Sequence, residues 1–91
     1  MSYELDFTDT FFSDVEKLRS NKTLIKKIDK FLDEIESNPI TGTGKPEQLK
    51  GFGERSIWSR RINQKHRLVY EIFEGEKKVS ILTAYGHYKD K

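Results

Sequence analysis

The chain contains no cysteine and only two histidines, His66 and His87. Without thiols it can form neither a disulfide framework nor a thiolate metal site, and two histidines cannot build a structural zinc site unaided. Long apolar runs and a charged-then-apolar N-terminal pattern are also absent, so neither a membrane span nor a secretion signal is expected. These absences predict a cytoplasmic protein without a metal centre.

Size and charge set further bounds. The 91 residues suffice for one hydrophobic core, so we expect residues 1–91 to form a single domain. The formal net charge is only +2, but basic residues dominate residues 45–67, where Glu47 and Glu54 are the only acids. Such a basic surface suits the phosphate backbone of a nucleic acid, although small charged proteins also need lysine and arginine for solubility.

Two amphipathic helices are predicted in the first half of the chain. Thr8 or Thr10 can cap the first helix, and the second runs from about Lys22 to Ser37 and stops before Pro39. Each helix has one apolar face, formed by Phe11, Phe12, Val15 and Leu18 in the first and by Leu24, Ile25, Ile28, Phe31, Leu32 and Ile35 in the second. We expect both faces to pack on a sheet.

Alternating apolar residues predict that sheet. Tyr3, Leu5 and Phe7 alternate with polar residues, as in a half-buried opening strand. Further strands are expected near residues 48–50, 56–62, 66–73 and 78–85, with turns at residues 63–64 and 74–75. The prediction is an α+β fold with two N-terminal helices on one face of a largely antiparallel, four- to five-stranded sheet and a partly open opposite face.

The predicted hairpin of residues 57–70 interleaves arginines with β-forming residues. Arg61 and Arg67 flank its short polar turn and could converge on one anion, because two planar guanidinium groups suit a phosphate. An ordinary solvated strand face is the alternative interpretation, since charged residues usually lie at surfaces.

A glycine-rich loop and the C-terminal tail add groups capable of proton transfer. Residues 42–50 invite a nucleotide-loop interpretation, but Pro46 stands where that motif needs a hydroxyl residue, so we reject it. Glu47 and His87 remain as candidate proton-transfer groups. The alternative is that Glu47 is an ordinary surface carboxylate and that His87 belongs to a frayed terminus. Together with arginine and lysine they suffice to cleave RNA, whose 2′-hydroxyl supplies the nucleophile.

Four short motifs occur in order within residues 42–88: GxGKPExLK, WSRRI, HRLVY and YxHY. In this combination the sequence resembles the YoeB (Txe/YoeB) toxins of the RelE superfamily. The resemblance implies a RelE-like fold and the toxin of a type II toxin-antitoxin system, an endoribonuclease (mRNA interferase) that acts on translating ribosomes. The implied partners are a YefM-type antitoxin, the ribosome, mRNA in the ribosomal A site and a second copy of the chain in a homodimer.

The resemblance also implies roles for individual residues. Glu47 becomes the general base and His87 the general acid, Arg67 stabilises the phosphate, and Tyr88 positions the base or the histidine. Contacts to substrate phosphates or RNA fall to Lys45, Lys50, Arg60 and Arg61. No metal or other cofactor is implied.

Two further interpretations and one departure from the family accompany this hypothesis. A non-catalytic RNA- or ribosome-binding module would explain the basic hairpin but not the separated Glu47 and His87. A protein that only binds another protein through its open sheet face would show little salt-sensitive affinity for RNA. The chain also continues beyond Tyr88 through Lys89, Asp90 and Lys91, where the family pattern commonly stops.

Overall fold

The computed structural model describes residues 2–86. In chain order the elements are β1 (Glu4–Phe7), α1 (Asp9–Leu18), α2 (Lys22–Ser37), β2 (Glu47–Gln48), β3 (Ile57–Arg61), β4 (Arg67–Phe73) and β5 (Lys78–Thr83). A single 3-10 turn at Glu74–Glu76 joins β4 to β5. The predicted α+β class and order of elements are confirmed.

The strands form one five-stranded sheet in the order β1-β5-β4-β3-β2. The three pairings among β2, β3, β4 and β5 are antiparallel, whereas β1 pairs with β5 in parallel. The pairing of β4 with β5 shifts register between Val69 and Tyr70. The prediction of a largely antiparallel sheet is therefore confirmed, with one parallel pair at the β1 edge.

Side-chain caps set the starts of both helices. The Thr8 hydroxyl accepts a hydrogen bond from the Phe11 N–H at 3.0 Å, which decides between the two predicted caps. Asn21 caps α2 in the same way through the Leu24 N–H, at 3.2 Å. The last helical residue of α2 is Ser37. The C-cap that follows, Asn38, has an extended backbone, which is the conformation that a following proline favours.

The core lies between the two helices and one face of the sheet, which we call the helix face. It contains Phe11, Leu18, Leu24, Ile28, Phe31, Ile35, Ile62, Leu68, Tyr70, Ile72, Val79, Ile81 and Ala84. On β4, every second residue from Leu68 to Ile72 enters this core, as the alternation of a strand requires.

The predicted burial of one residue, Phe12, is wrong. Phe12 is 57% exposed, because each helical residue turns the side chain by about 100° and Phe11 already faces the sheet. The Phe12 ring instead lies 5.8 Å from the Phe7 and Phe11 rings at the surface. Asp14 of the same helix is buried, and its carboxylate accepts a hydrogen bond from the Ala84 N–H at 2.9 Å.

The opposite side of the sheet, which we call the far face, is less open than predicted. Ile57 and Val69 are fully buried there, and Glu71 is only 8% exposed. Arg55, from the segment before β3, forms an ion pair with Glu71 at 2.8 Å and so lies against this end of the face. Exposure returns toward the end of β3 that carries Arg61.

Candidate active site on the far face of the sheet

Strand register places three of the predicted site residues on the far face. Glu47 pairs with Ser59, and Arg61 pairs with Arg67. Directly opposed residues of antiparallel strands point to the same side, and so do residues two apart on one strand. Glu47, Arg61 and Arg67 therefore share one face, with Glu47 offset from the arginine pair by two residues, or about 7 Å along the strand.

The backbones of the two arginines fasten the segments on either side of the site. The Arg61 N–H donates to the carbonyl of Gly44 at 2.7 Å, in the loop that leads to Glu47. The Arg67 N–H donates to the carbonyl of Gly86 at 3.1 Å, immediately before His87. The hairpin thus holds the loop before Glu47 at Gly44 and the described end of the chain at Gly86.

The loop before β2 takes a shape that depends on glycine. Gly44 has a φ of +82°, and a Cβ there would lie 2.5 Å from the Phe31 ring, so neither its backbone nor its packing tolerates a side chain. Lys45 follows with a φ of 54° and is exposed at the entrance to β2. Lys50 is exposed at the bend just after β2, so the two lysines bracket Glu47 along the chain.

Arg60 does not belong to this surface, and its predicted contact with RNA is corrected. Its side chain is fully buried, because it is paired with Leu68 and points to the helix face, one residue out of phase with Arg61. The guanidinium donates to the Glu34 carboxylate at 2.7 Å and to the Tyr70 hydroxyl oxygen at 3.0 Å. A nucleic acid cannot reach it there.

Four backbone carbonyls complete the surroundings of Arg60. They belong to Asn38 (3.4 Å), Pro39 (3.3 Å), Thr41 (2.8 Å) and Thr43 (3.3 Å). The guanidinium therefore holds the segment between α2 and β2 against the end of α2. We call Arg60, Glu34 and Tyr70 the arginine clamp.

The clamp shifts the pKa values of both partners of Arg60. Burial by itself raises the pKa of Glu34, but hydrogen bonds from Thr43 and the charge of Arg60 outweigh it, and the pKa lies below its usual value. Burial raises the pKa of the Tyr70 phenol, against the opposing effect of the Arg60 hydrogen bond. The Tyr70 hydroxyl donates to the Pro39 carbonyl at 2.7 Å, as a neutral phenol can.

The sequence contained a signal for the clamp. Arg60 alternates with Trp58 and Ile62, which are apolar, whereas Ser59 and Arg61 form the other phase of the strand. Because Arg60 shares its side of the strand with Trp58 and Ile62, the pattern predicts that Arg60 is buried. Its partners could not be found in the same way, because Glu34 lies 26 residues away along the chain.

Three more residues near the site were not identified from the sequence. The His66 imidazole accepts a hydrogen bond from the Gly86 N–H at 2.9 Å. The hydroxyls of Ser59 and Thr83 are buried without a hydrogen-bond partner in the described part of the chain. Both flank Val69 in the strand register. Ser59 is also paired with Glu47, whereas Thr83 lies on the other side of Val69.

His87 and Tyr88 lie outside the described residues, as do the three residues that follow them, so their predicted roles stay predictions. Within residues 2–86, no group of three or more histidine, aspartate or glutamate side chains is arranged to hold a metal ion. In the same range, no helix has the length and apolar character needed to cross a membrane.

The fold and the far-face site define a protein of the YoeB/RelE toxin class. A solved YoeB dimer from Staphylococcus aureus has 34% sequence identity and a TM-score of 0.80, covering 97% of this chain and 100% of that chain. A heterotetrameric YoeB-YefM toxin-antitoxin complex from the same organism matches with 35% identity and a TM-score of 0.75, again covering 97% and 100%.

Sequence comparison identifies the family. The family model of the YoeB-like toxin of bacterial type II toxin-antitoxin systems matches residues 7–88. Toxin YoeB from Mycobacterium bovis is 42% identical over 72 residues, which cover 78% of this chain and 80% of that toxin. The chain therefore belongs to the YoeB-like toxins of type II toxin-antitoxin systems, and the family resemblance seen in its motifs is confirmed.

Proposed function

We propose that this toxin is an endoribonuclease, an mRNA interferase that cleaves mRNA on translating ribosomes. The observation that carries the proposal is the placement of one carboxylate, Glu47, on the same sheet face as the opposed Arg61 and Arg67. A carboxylate can take a proton, and two guanidinium groups can neutralise a phosphate in the transition state. The face lies opposite the core, where an RNA strand has access to the exposed Arg61 and Glu47.

The proposed reaction uses the substrate's own nucleophile. Glu47 removes the proton of a ribose 2′-hydroxyl, whose oxygen attacks the adjacent phosphorus, and the bond from phosphorus to the 5′-oxygen breaks. His87 supplies a proton to the departing 5′-oxygen. The products are a 2′,3′-cyclic phosphate and a 5′-hydroxyl, so no metal ion or cofactor has to supply an attacking group.

The remaining site residues contribute charge and position. Arg61 and Arg67 stabilise the negative charge that develops on the phosphorane, and the Arg67 N–H also donates to the Gly86 carbonyl. Lys45 and Lys50 bind neighbouring phosphates from either end of β2. Tyr88 positions the base or the histidine.

The partners are proposed from the two Staphylococcus aureus structures, which contain a YoeB dimer and a YoeB-YefM complex. We propose that this toxin is neutralised by a YefM-type antitoxin and forms a homodimer in the cytoplasm. We further propose that its substrate is mRNA in the ribosomal A site. The basic segment of residues 45–67 fits both RNA and an acidic antitoxin segment.

Induced expression followed by mapping of transcript 5′ ends tests the proposed activity. Wild-type protein should arrest growth and create new 5′-hydroxyl ends within coding regions, in a fixed relation to the reading frame. Glu47→Gln should abolish both effects because it removes the base while preserving shape. Glu54→Gln is the matched control, since Glu54 is the other acid of residues 45–67 and is exposed outside the strands.

The same experiment separates catalysis from binding. Growth arrest by Glu47→Gln at equal protein level, without new transcript ends, would replace the proposal with a non-catalytic ribosome-binding module. Arrest that is lost in Glu54→Gln as well as in Glu47→Gln would mean that local negative charge, and not a base at residue 47, is required.

A further inference from the structure

Both polar backbone atoms of Gly86 are held by two consecutive residues of the hairpin. The Nδ1 atom of His66 accepts a hydrogen bond from the Gly86 N–H at 2.9 Å. The N–H of Arg67 donates to the Gly86 carbonyl at 3.1 Å. Because His66 directly precedes Arg67, this two-point contact fixes the place and the direction of the backbone at Gly86, from which His87 continues.

The imidazole is itself held in a fixed position. The carbonyl of His66 accepts hydrogen bonds from the Ile62 and Asn63 N–H groups at 3.0 and 3.2 Å, and its own N–H donates to the Asn63 side chain at 2.7 Å. The ring centroid of His66 lies 4.5 Å from that of Tyr85. The turn between β3 and β4 therefore presents Nδ1 from a rigid base.

The hydrogen bond defines the chemical state of the imidazole. A ring nitrogen that accepts a hydrogen bond carries no proton, so the proton of the neutral ring lies on Nε2. Gly86 has a φ of +71°, a backbone conformation that favours glycine whatever the space around a Cβ. His66 thus acts on Gly86 through one acceptor atom.

We propose that His66 is a positioning residue for RNA cleavage: its Nδ1, together with the Arg67 N–H, holds the backbone of Gly86, the residue before the proposed acid His87, beside Arg67. This inference rests on the proposed function. Nothing in it requires His66 to touch RNA. Its loss should therefore lower kcat, which depends on placement of the acid, and leave KM for the substrate nearly unchanged.

Two variants separate the acceptor atom from the ring. His66→Asn places an amide oxygen close to the position of Nδ1 but lacks the ring that contacts Tyr85. His66→Phe keeps a planar ring of similar size but has no acceptor. Purified full-length variants are compared with wild type by single-turnover cleavage of mRNA on programmed ribosomes, by ribosome affinity and by thermal unfolding.

The expected result is a loss of about tenfold or more in the cleavage rate of His66→Phe, the order of one hydrogen bond, with unchanged ribosome affinity. His66→Asn should recover most of that rate although it lacks the ring. A wild-type rate in His66→Phe, or an equal loss in both variants, would overturn the inference. So would a loss of rate that simply follows a lowered melting temperature.

A readout independent of cleavage distinguishes this inference from the proposed function. Exchange of the Gly86 amide proton, followed by nuclear magnetic resonance, should accelerate in His66→Phe and stay slow in His66→Asn. If wild-type protein does not cleave RNA but Gly86 behaves in this way, the proposed function fails while the contact with Gly86 stands. If cleavage is observed but exchange at Gly86 is equal in all three proteins, the positioning role fails alone.

Discussion

Arg60 and Arg61 are adjacent arginines on the same strand, yet they lie in opposite environments. Arg60 is fully buried on the helix face, with a carboxylate, a phenol and four carbonyls around its guanidinium. Arg61 is exposed on the far face opposite Arg67. The comparison teaches that a basic motif on a strand divides by strand phase: one arginine stabilises the fold, and its neighbour remains available to a ligand.

The sharpest test of this division compares the same substitution at both positions. Arg60→Met leaves Glu34 and the loop carbonyls without their donor, so we expect the free energy of unfolding to fall by about 3–5 kcal/mol. Arg61→Met should change it by less than about 0.5 kcal/mol, because that side chain is exposed. Urea denaturation followed by circular dichroism measures both. Comparable losses of stability would abolish the distinction.

The second prediction concerns the far face alone. Arg67→Lys keeps the charge but loses the planar fork, so the single-turnover cleavage rate should fall by about 10²–10³-fold while ribosome affinity changes much less. Stability should remain near that of wild type. If the variant instead binds ribosomes weakly and cleaves at a normal rate once bound, Arg67 is an anchoring residue and the transition-state role is wrong.

The smallest expected effect is a pH dependence carried by the clamp. The pKa of Glu34 is lowered in the folded protein, so its contribution to stability is complete above the unfolded value of 4.5 and is lost as pH falls through the lower folded value. Glu34→Gln should therefore be less stable than wild type by about 1 kcal/mol at neutral pH. The difference should shrink below pH 4.5.

Unfolding curves at several pH values provide the measurement for this pair. Asp33→Gln is a suitable control, because Asp33 is an exposed acid beside Glu34 on α2. A stability difference between wild type and Glu34→Gln that stays constant from neutral to acid pH would show that the carboxylate's charge does not contribute through the clamp.

Elements with local signals were predictable from the sequence. The bounds of α2 follow from Asn21 and Pro39, which act within a few residues of the helix ends. The alternation of Leu68, Tyr70 and Ile72 on β4 likewise indicates which of its side chains face the helices, but not that Val69 and Glu71 are buried on the far face. Glu47, Arg61 and Arg67 could be brought to one face once the strand order was known.

The features that were missed depend on contacts between distant parts of the chain. The resemblance implies an RNA contact for Arg60, whereas the environment of its side chain is created by Glu34 and by the backbone of the intervening loop. Asp14 occupies the core because the Ala84 N–H requires an acceptor 70 residues away. The role of His66 toward Gly86 likewise appears only when the two segments are adjacent in space.

The parallel pairing of β1 with β5 has a consequence for the order of events during synthesis. Among the strands of residues 2–86, β5 is synthesised last, yet it lies inside the sheet between β1 and β4. The first strand and the two helices therefore leave the ribosome well before the strand that joins them to the rest of the sheet. Native contacts of such long sequence separation form slowly. The β1 edge can therefore join the rest of the sheet only after residues 78–83 have been synthesised.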